Sequence, residues 1–117
     1  MARKLPHYLR THRKRLGFSQ DEIAWLLGCR SGTKVSRYER YVRTPTLATA
    51  LAYEVIFGVP ASQLFAGLFE GVRDVTLRRA ALLARRLEQV EEPRPDARKL
   101  THLATIQETH GSPHEEA

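Results

Sequence analysis

Glycines at 17, 28 and 58 constrain this chain more than any other feature. Each closes a short run of residues at helical apolar spacing, so the N-terminal half reads as a set of short helices. Leu5, Leu9, His12 or Arg13, and Leu16 form the first run, and Gly17 stops it. Ser19 reads as an N-cap, with Glu22 three residues later completing a capping box. Ile23, Ala24 and Leu27 make the buried face of a second helix that ends at Gly28. A third begins around Ser31 to Thr33 and carries Val35, Tyr38 and Glu39. Thr46, after Pro45, caps a fourth with Leu47, Ala50, Leu51, Ile56 and Phe57 inside, ending at Gly58. Pro60 and Ser62 open a fifth, short helix containing Leu64 and Phe65.

No segment alternates apolar and polar residues long enough to argue a strand, which makes the class all-α. Val72, Thr76, Ala80, Leu83, Leu87 and Val90 then form a heptad-like stripe on a longer helix. After Glu92 the pattern breaks. ARKLTHLATIQE can form one more short helix, and ETHGSPHEEA reads as disordered. The expected organisation is a five-helix domain over 1–68, a C-terminal helix over 69–92 and a flexible tail over 93–117 with a short helix in it. The stripe either dimerises or packs on its own chain, and at under three heptads it is a weak coiled coil alone.

Charge placement narrows the partners. The formal net charge is +6, but residues 1–43 hold eleven Lys and Arg against three Asp and Glu, and residues 44–71 hold no Lys or Arg at all. A folded basic pole attracts a polyanion such as DNA through counterion release; the plain alternative is a solvated face. No apolar run approaches a membrane span, and MARKLPHYLRTHRKRLG has positive charge without the apolar stretch of a secretory leader. The single cysteine, Cys29, cannot form an intramolecular disulfide and fits a reducing cytoplasm. The five histidines come with no HExxH, no Cys/His ligand spacing and no paired carboxylates, so neither a metal, a cofactor nor an enzyme is expected.

The stretch "LLGCRSGTKVSRYER" ends an apolar helix at Gly28 and restarts as a basic, hydroxyl-rich one. Two short helices joined by a tight turn are a helix-turn-helix pattern. Ala24 is small enough for a close crossing, Gly28 supplies the turn, and Val35 and Tyr38 bury one side of the second helix. Ser31, Thr33, Lys34, Ser36 and Arg37 remain to be offered to a major groove.

The span from Leu9 to Phe65 resembles the Cro/repressor, or Xre-type, family. "LRTHRKRLGFSQDEIAWLLG", "KVSRYER" and "RTPTLATALAYEVIFGVPASQLF" carry the resemblance, in order, over about half the chain. It implies sequence-specific binding to duplex DNA by a transcriptional regulator, a repressor acting as a homodimer. Gln20, at the start of the second helix, is then a phosphate contact, and Ser19 either caps or joins it. Thr33 and Arg37 match base-reading positions. Arg37 either grips a guanine or contacts a phosphate or acidic side chain; Thr33 meets a thymine methyl or caps the helix; Lys34 touches base or backbone. Ser31 joins the base contacts, and Ser36, Arg40 and Arg43 the phosphate contacts, with Tyr41 in the same loop. Arg13 and Glu39 match a pair that fixes the third helix to the first.

Three features depart from the family pattern. One extra residue lies between Gly28 and Val35, placed around Arg30 to Gly32, where it lengthens the turn or extends the recognition helix. Trp25 and Leu26 stand at positions usually polar, and Glu54 where a small core residue is usual. Cys29 matches a buried, valine-like position. The rival functions are an antitoxin-like regulator gripping a protein partner through its C-terminal part, and an interaction module that kept the fold without DNA binding.

Overall fold

The computed structural model describes residues 5–111, which divide into two compact units meeting between Phe69 and Glu70. Its elements are α1 (Leu9–Leu16), α2 (Gln20–Leu27), α3 (Thr33–Glu39), α4 (Leu47–Phe57), α5 (Ala61–Leu64), α6 (Ala66–Glu88) and α7 (Ala97–His110). The described residues contain no strand, so the class is all-α with a helix-turn-helix at its N-terminal end. No helix among them is long and apolar enough to cross a membrane.

Helices of seven or eight residues are too short to stand alone in water, so α1, α2 and α3 exist by packing. In the first unit α2 packs on α3 and α4, α1 on α3, and α4 on α5. The shared core is Leu9, Ile23, Ala24, Val35, Tyr38, Tyr53, Leu64 and Phe65, with Phe18, Leu27, Cys29 and Ile56 half-buried against it. Cys29 thus packs on the core without being fully enclosed.

Helix α1 starts at Leu9, not at Leu5 as the apolar spacing predicts. Leu5 precedes a proline, which disfavours helical backbone there. The segment before α1 is instead a non-helical strap: Tyr8 N–H donates to the Leu64 carbonyl at 3.1 Å, and Leu68 N–H to the Pro6 carbonyl at 3.2 Å. A side chain at Gly67 would collide with the Leu5 carbonyl, so the strap needs glycine beneath it. Leu16, expected inside, is exposed. Gly17 turns left-handed directly after it and brings Phe18 to the core in its place.

Helix α4 corrects a second expectation. Leu47 and Leu51 face solvent, and Tyr53, which the pattern did not single out, is only 1% exposed. Glu54 is the only charged residue in α4, so its sequence does not say which apolar side its neighbours will cover. Tyr53 lies edge-on to Tyr38 at 6.4 Å and beside Phe57 at 5.6 Å. Glu54 turns toward α5 and accepts the Ala61 N–H at 2.8 Å, which accounts for a carboxylate at that position.

In the second unit, the half-covered residues of α6 from Arg73 onward are Arg73, Leu77, Ala81, Ala84 and Leu87, around a buried Ala80. This row is displaced from the predicted stripe, of which Val72, Thr76, Leu83 and Val90 are exposed. Helix α6 also begins before Val72, and Val90 lies beyond its end. Leu100, Leu103, Ile106 and Gln107 are the half-covered residues of α7, and Gln107 Nε2 donates to the Leu77 carbonyl at 2.9 Å. Asp96 caps α7 by accepting the Arg98 N–H at 2.8 Å. Glu108 to His110, expected to be disordered, close that helix, while residues 112–117 of the predicted tail lie outside the described residues.

The Tyr53 hydroxyl is buried without a hydrogen-bond partner among the described residues. Burial, reinforced by the nearby Glu39 carboxylate, pushes its phenol above the ordinary range. A buried donor left unpaired costs free energy that phenylalanine does not. Tyr53→Phe should therefore stabilise the chain by about 1 kcal/mol in urea unfolding, whereas Tyr53→Ala should cost about 3–5 kcal/mol through the cavity it leaves.

Candidate nucleic-acid interface

The turn between α2 and α3 is built from both ends. At the start of α2, Ser19 Oγ accepts the Glu22 N–H at 3.0 Å while Glu22 Oε1 accepts the Ser19 N–H at 2.8 Å. This capping box leaves the side chains of Gln20 and Asp21, in the first turn, for work elsewhere. At the other end Gly28 closes α2 with φ 79°, a left-handed conformation that glycine adopts without strain.

Asp21 supplies a tie that the sequence did not reveal. Its Oδ1 accepts the Gly32 N–H at 2.8 Å across eleven residues. A Cβ at Gly32 would sit 2.8 Å from that same oxygen and 3.0 Å from Gln20 Cβ. Gly32 is thus the place where the turn backbone presses onto α2. With Gly32 as N-cap, α3 starts at Thr33, and the extra residue expected around Arg30 to Gly32 lies in the turn rather than in the helix.

Helix α3 buries Val35, Tyr38 and Glu39 and exposes Thr33, Lys34 and Arg37. Positions 33, 34 and 37 share one face at helical spacing. Ser31 Oγ donates to Thr33 Oγ1 at 3.1 Å and accepts the Thr33 N–H at 3.4 Å, bracing the leading end of the helix. Ser36 is half-buried and accepts from Arg40 Nε at 3.1 Å. A shallow cleft of ≈ 310 Å³ lies between Gln20 and Asp21 on α2 and Ser31, Thr33, Ser36 and Arg40 on the other side.

Below this face, Arg13 on α1 grips Glu39 on α3 with two parallel bonds: Nε to Oε2 at 2.6 Å and Nη2 to Oε1 at 3.0 Å. Arg13 Nη1 also donates to the Phe18 carbonyl at 2.9 Å. Gln20 Nε2 adds a third donor to Glu39, at 3.1 Å. The bond to Glu39 raises the Arg13 pKa further, so the guanidinium stays charged. Three elements therefore converge on one carboxylate.

The loop after α3 rests on a histidine. His7 lies in the strap before α1, outside any helix, and is buried. Its ring meets Tyr41 at 4.8 Å and Phe65 at 5.5 Å, and Tyr41 Oη donates to the His7 carbonyl at 3.3 Å. Tyr41 is left-handed, with φ 63°, and Val42 N–H donates to the Arg37 carbonyl at 2.9 Å. The chain thereby folds back over the end of α3, with Arg40 and Arg43 exposed. Apolar spacing could not find His7; the signal available was its place beside Pro6, outside any helix.

The helix-turn-helix domain family matches residues 5–64, a little over half of the chain. The chain belongs to that family. The membership agrees with the Cro/repressor resemblance of its sequence and points to a DNA-binding regulator. No curated protein and no solved structure matches the chain. Within this helix-turn-helix domain, α2 and α3 are the two helices that the turn joins.

Two outcomes follow from these contacts. Asp21→Ala should leave the helical circular dichroism intact yet lower the preference for a selected DNA site over random DNA by on the order of tenfold, because the start of α3 loses its tie. Asp21→Asn, which keeps an acceptor, should restore most of it. Burial holds the His7 pKa below its ordinary value, against the opposing effects of the Tyr38 backbone and the Glu39 carboxylate. The unfolded chain therefore binds this proton more readily. Its contribution to stability is complete above about pH 6.5 and is lost as the pH falls from there toward the folded-state pKa. Thermal melts between pH 5 and 7.5 should show this slope, and His7→Phe should flatten it.

Proposed function

We propose that this helix-turn-helix protein binds duplex DNA sequence-specifically as a homodimeric transcriptional repressor in the cytoplasm, with α3 in the major groove. The observation that carries the reading is the exposed face of Thr33, Lys34 and Arg37 on a helix clamped from beneath by Arg13 and Gln20 through Glu39. Base readout needs side chains free at the surface on a backbone that does not move. Arg37 is the guanine-reading candidate, Thr33 and Lys34 flank it, and Ser31 acts on bases only through the end of the helix it braces.

Gln20 has a second amide N–H beyond the one given to Glu39, and this hydrogen is its phosphate donor. Ser19, Ser36, Arg40 and Arg43 complete the proposed backbone contacts. One recognition helix reads only a few base pairs, so two copies on a palindrome give the reach that a specific site requires. A second reading, binding of a protein partner through the C-terminal unit, is favoured by the exposed Leu82 and Leu83 of α6.

Selection of bound sites from random DNA tests the proposal, and recovery of a palindrome is the expected result. On that site Arg37→Ala should cost about 1–3 kcal/mol while changing random-sequence binding little. Arg43→Ala should weaken both and reduce the slope of log affinity against log salt by about 0.9. No enrichment in the selection would refute DNA reading altogether.

A further inference from the structure

We propose that Arg30, in the turn ahead of α3, grips a backbone phosphate of the duplex beside the face of Thr33, Lys34 and Arg37. The inference rests on the duplex-binding reading above and adds to it a contact made from outside α3. Two clefts flank the start of that helix. The one already described, of ≈ 310 Å³, has Asp21 in its wall. The other, of ≈ 370 Å³, opens between Gly28 and Arg30 on the turn and Thr33 and Lys34 on the helix. Among the described residues no carboxylate lines it. Two cations without an acid draw an anion to this second cleft, whereas the carboxylate of the first repels one.

The backbone that carries Arg30 is held on both sides. Before it, Gly28 turns left-handed and Cys29 packs on the core, its N–H donating to the Ala24 carbonyl at 2.8 Å. After it, Ser31 pairs with Thr33 and Asp21 ties Gly32. The Arg30 side chain is itself exposed, with no ion pair or hydrogen bond among the described residues. Arg13 is committed to Glu39 and Arg40 to Ser36, so neither head is free in the same way. A guanidinium on a fixed backbone gives up little on meeting a phosphate, whose oxygens its fork matches. The contact falls on the backbone because Arg30 stands three residues ahead of Thr33, the first residue of α3. A helix laid in the groove carries its own side chains to the bases and leaves the turn before it nearer the phosphates.

Binding of the full chain to its selected site and to random duplex, across a range of salt concentrations, tests the contact. Arg30→Ala should weaken both by the same factor, on the order of tenfold, and lower the slope of log affinity against log salt by about 0.9. Arg30→Lys, which keeps the charge, should restore the slope. Ethylating the phosphates of the site one at a time should reveal a position whose modification weakens the wild type but not Arg30→Ala. Circular dichroism and thermal melting of both variants should match the wild type, since no bond of the fold uses this side chain. An unchanged slope, a loss confined to the selected site, or an ethylation pattern identical in wild type and Arg30→Ala would overturn the contact and leave duplex binding standing. A wild type that binds no duplex would overturn both, so the two failures are told apart.

Discussion

The carboxylate of Glu39 is the point on which this helix-turn-helix domain hangs. It sits on the inner side of α3, is nearly buried, and receives two bonds from Arg13 and one from Gln20. A buried ion pair adds little net stability, because both charges lose their water, but breaking it from one side is costly. Its value here is geometric. The planar guanidinium meets the carboxylate in a two-point fork, and a fork fixes rotation as well as distance. Helix α3 is only seven residues long and offers few apolar side chains to set its own orientation. Fork and amide together hold it against α1 and the start of α2.

The same logic extends outward from that carboxylate. Asp21 pins the turn before α3 through Gly32, and the His7 and Tyr41 contacts hold the loop after it. Helix α3 is thus held at its leading end, along its inner face and behind its C-terminus. The three restraints draw on residues far apart in sequence, which is why a chain with such short helices can still present a fixed surface. The pairing of Ser31 with Thr33 is local by comparison and acts only on the first turn.

Much of this is legible in the sequence alone. The helix ends at Gly17, Gly28 and Gly58 and the capping box of Ser19 with Glu22 depend on neighbours a few residues away, and local chemistry decides them. What escaped the sequence depends on elements meeting in space. Helix α4 is apolar on more than one side, so Leu47 and Leu51 looked as fit for the core as Tyr53 did. Helix α6 carries two interleaved apolar rows one residue apart, and spacing alone cannot say which one is covered. Leu5 was lost to the backbone pairing of the strap. The ties of Asp21 and His7 have no periodic signature at all, since each is one polar group meeting one distant backbone or ring.

The extra residue in the turn shows how the two kinds of information combine. An insertion before a recognition helix has two outlets: it can add a residue to the helix, rotating the later side chains by about 100° relative to the incoming chain, or it can be absorbed by the turn. Val35, Tyr38 and Glu39 forbid the first, because the core and the Arg13 fork both fix the rotation of α3 from its C-terminal side. The added length must then lie ahead of Thr33, and it is accommodated where a residue without a side chain can lie flat on α2. Gly32 meets that condition, and Asp21 satisfies the backbone N–H that the detour would otherwise leave unpaired. Thr33, Lys34 and Arg37 therefore share the exposed face of α3, and Ser31 lies ahead of its first residue.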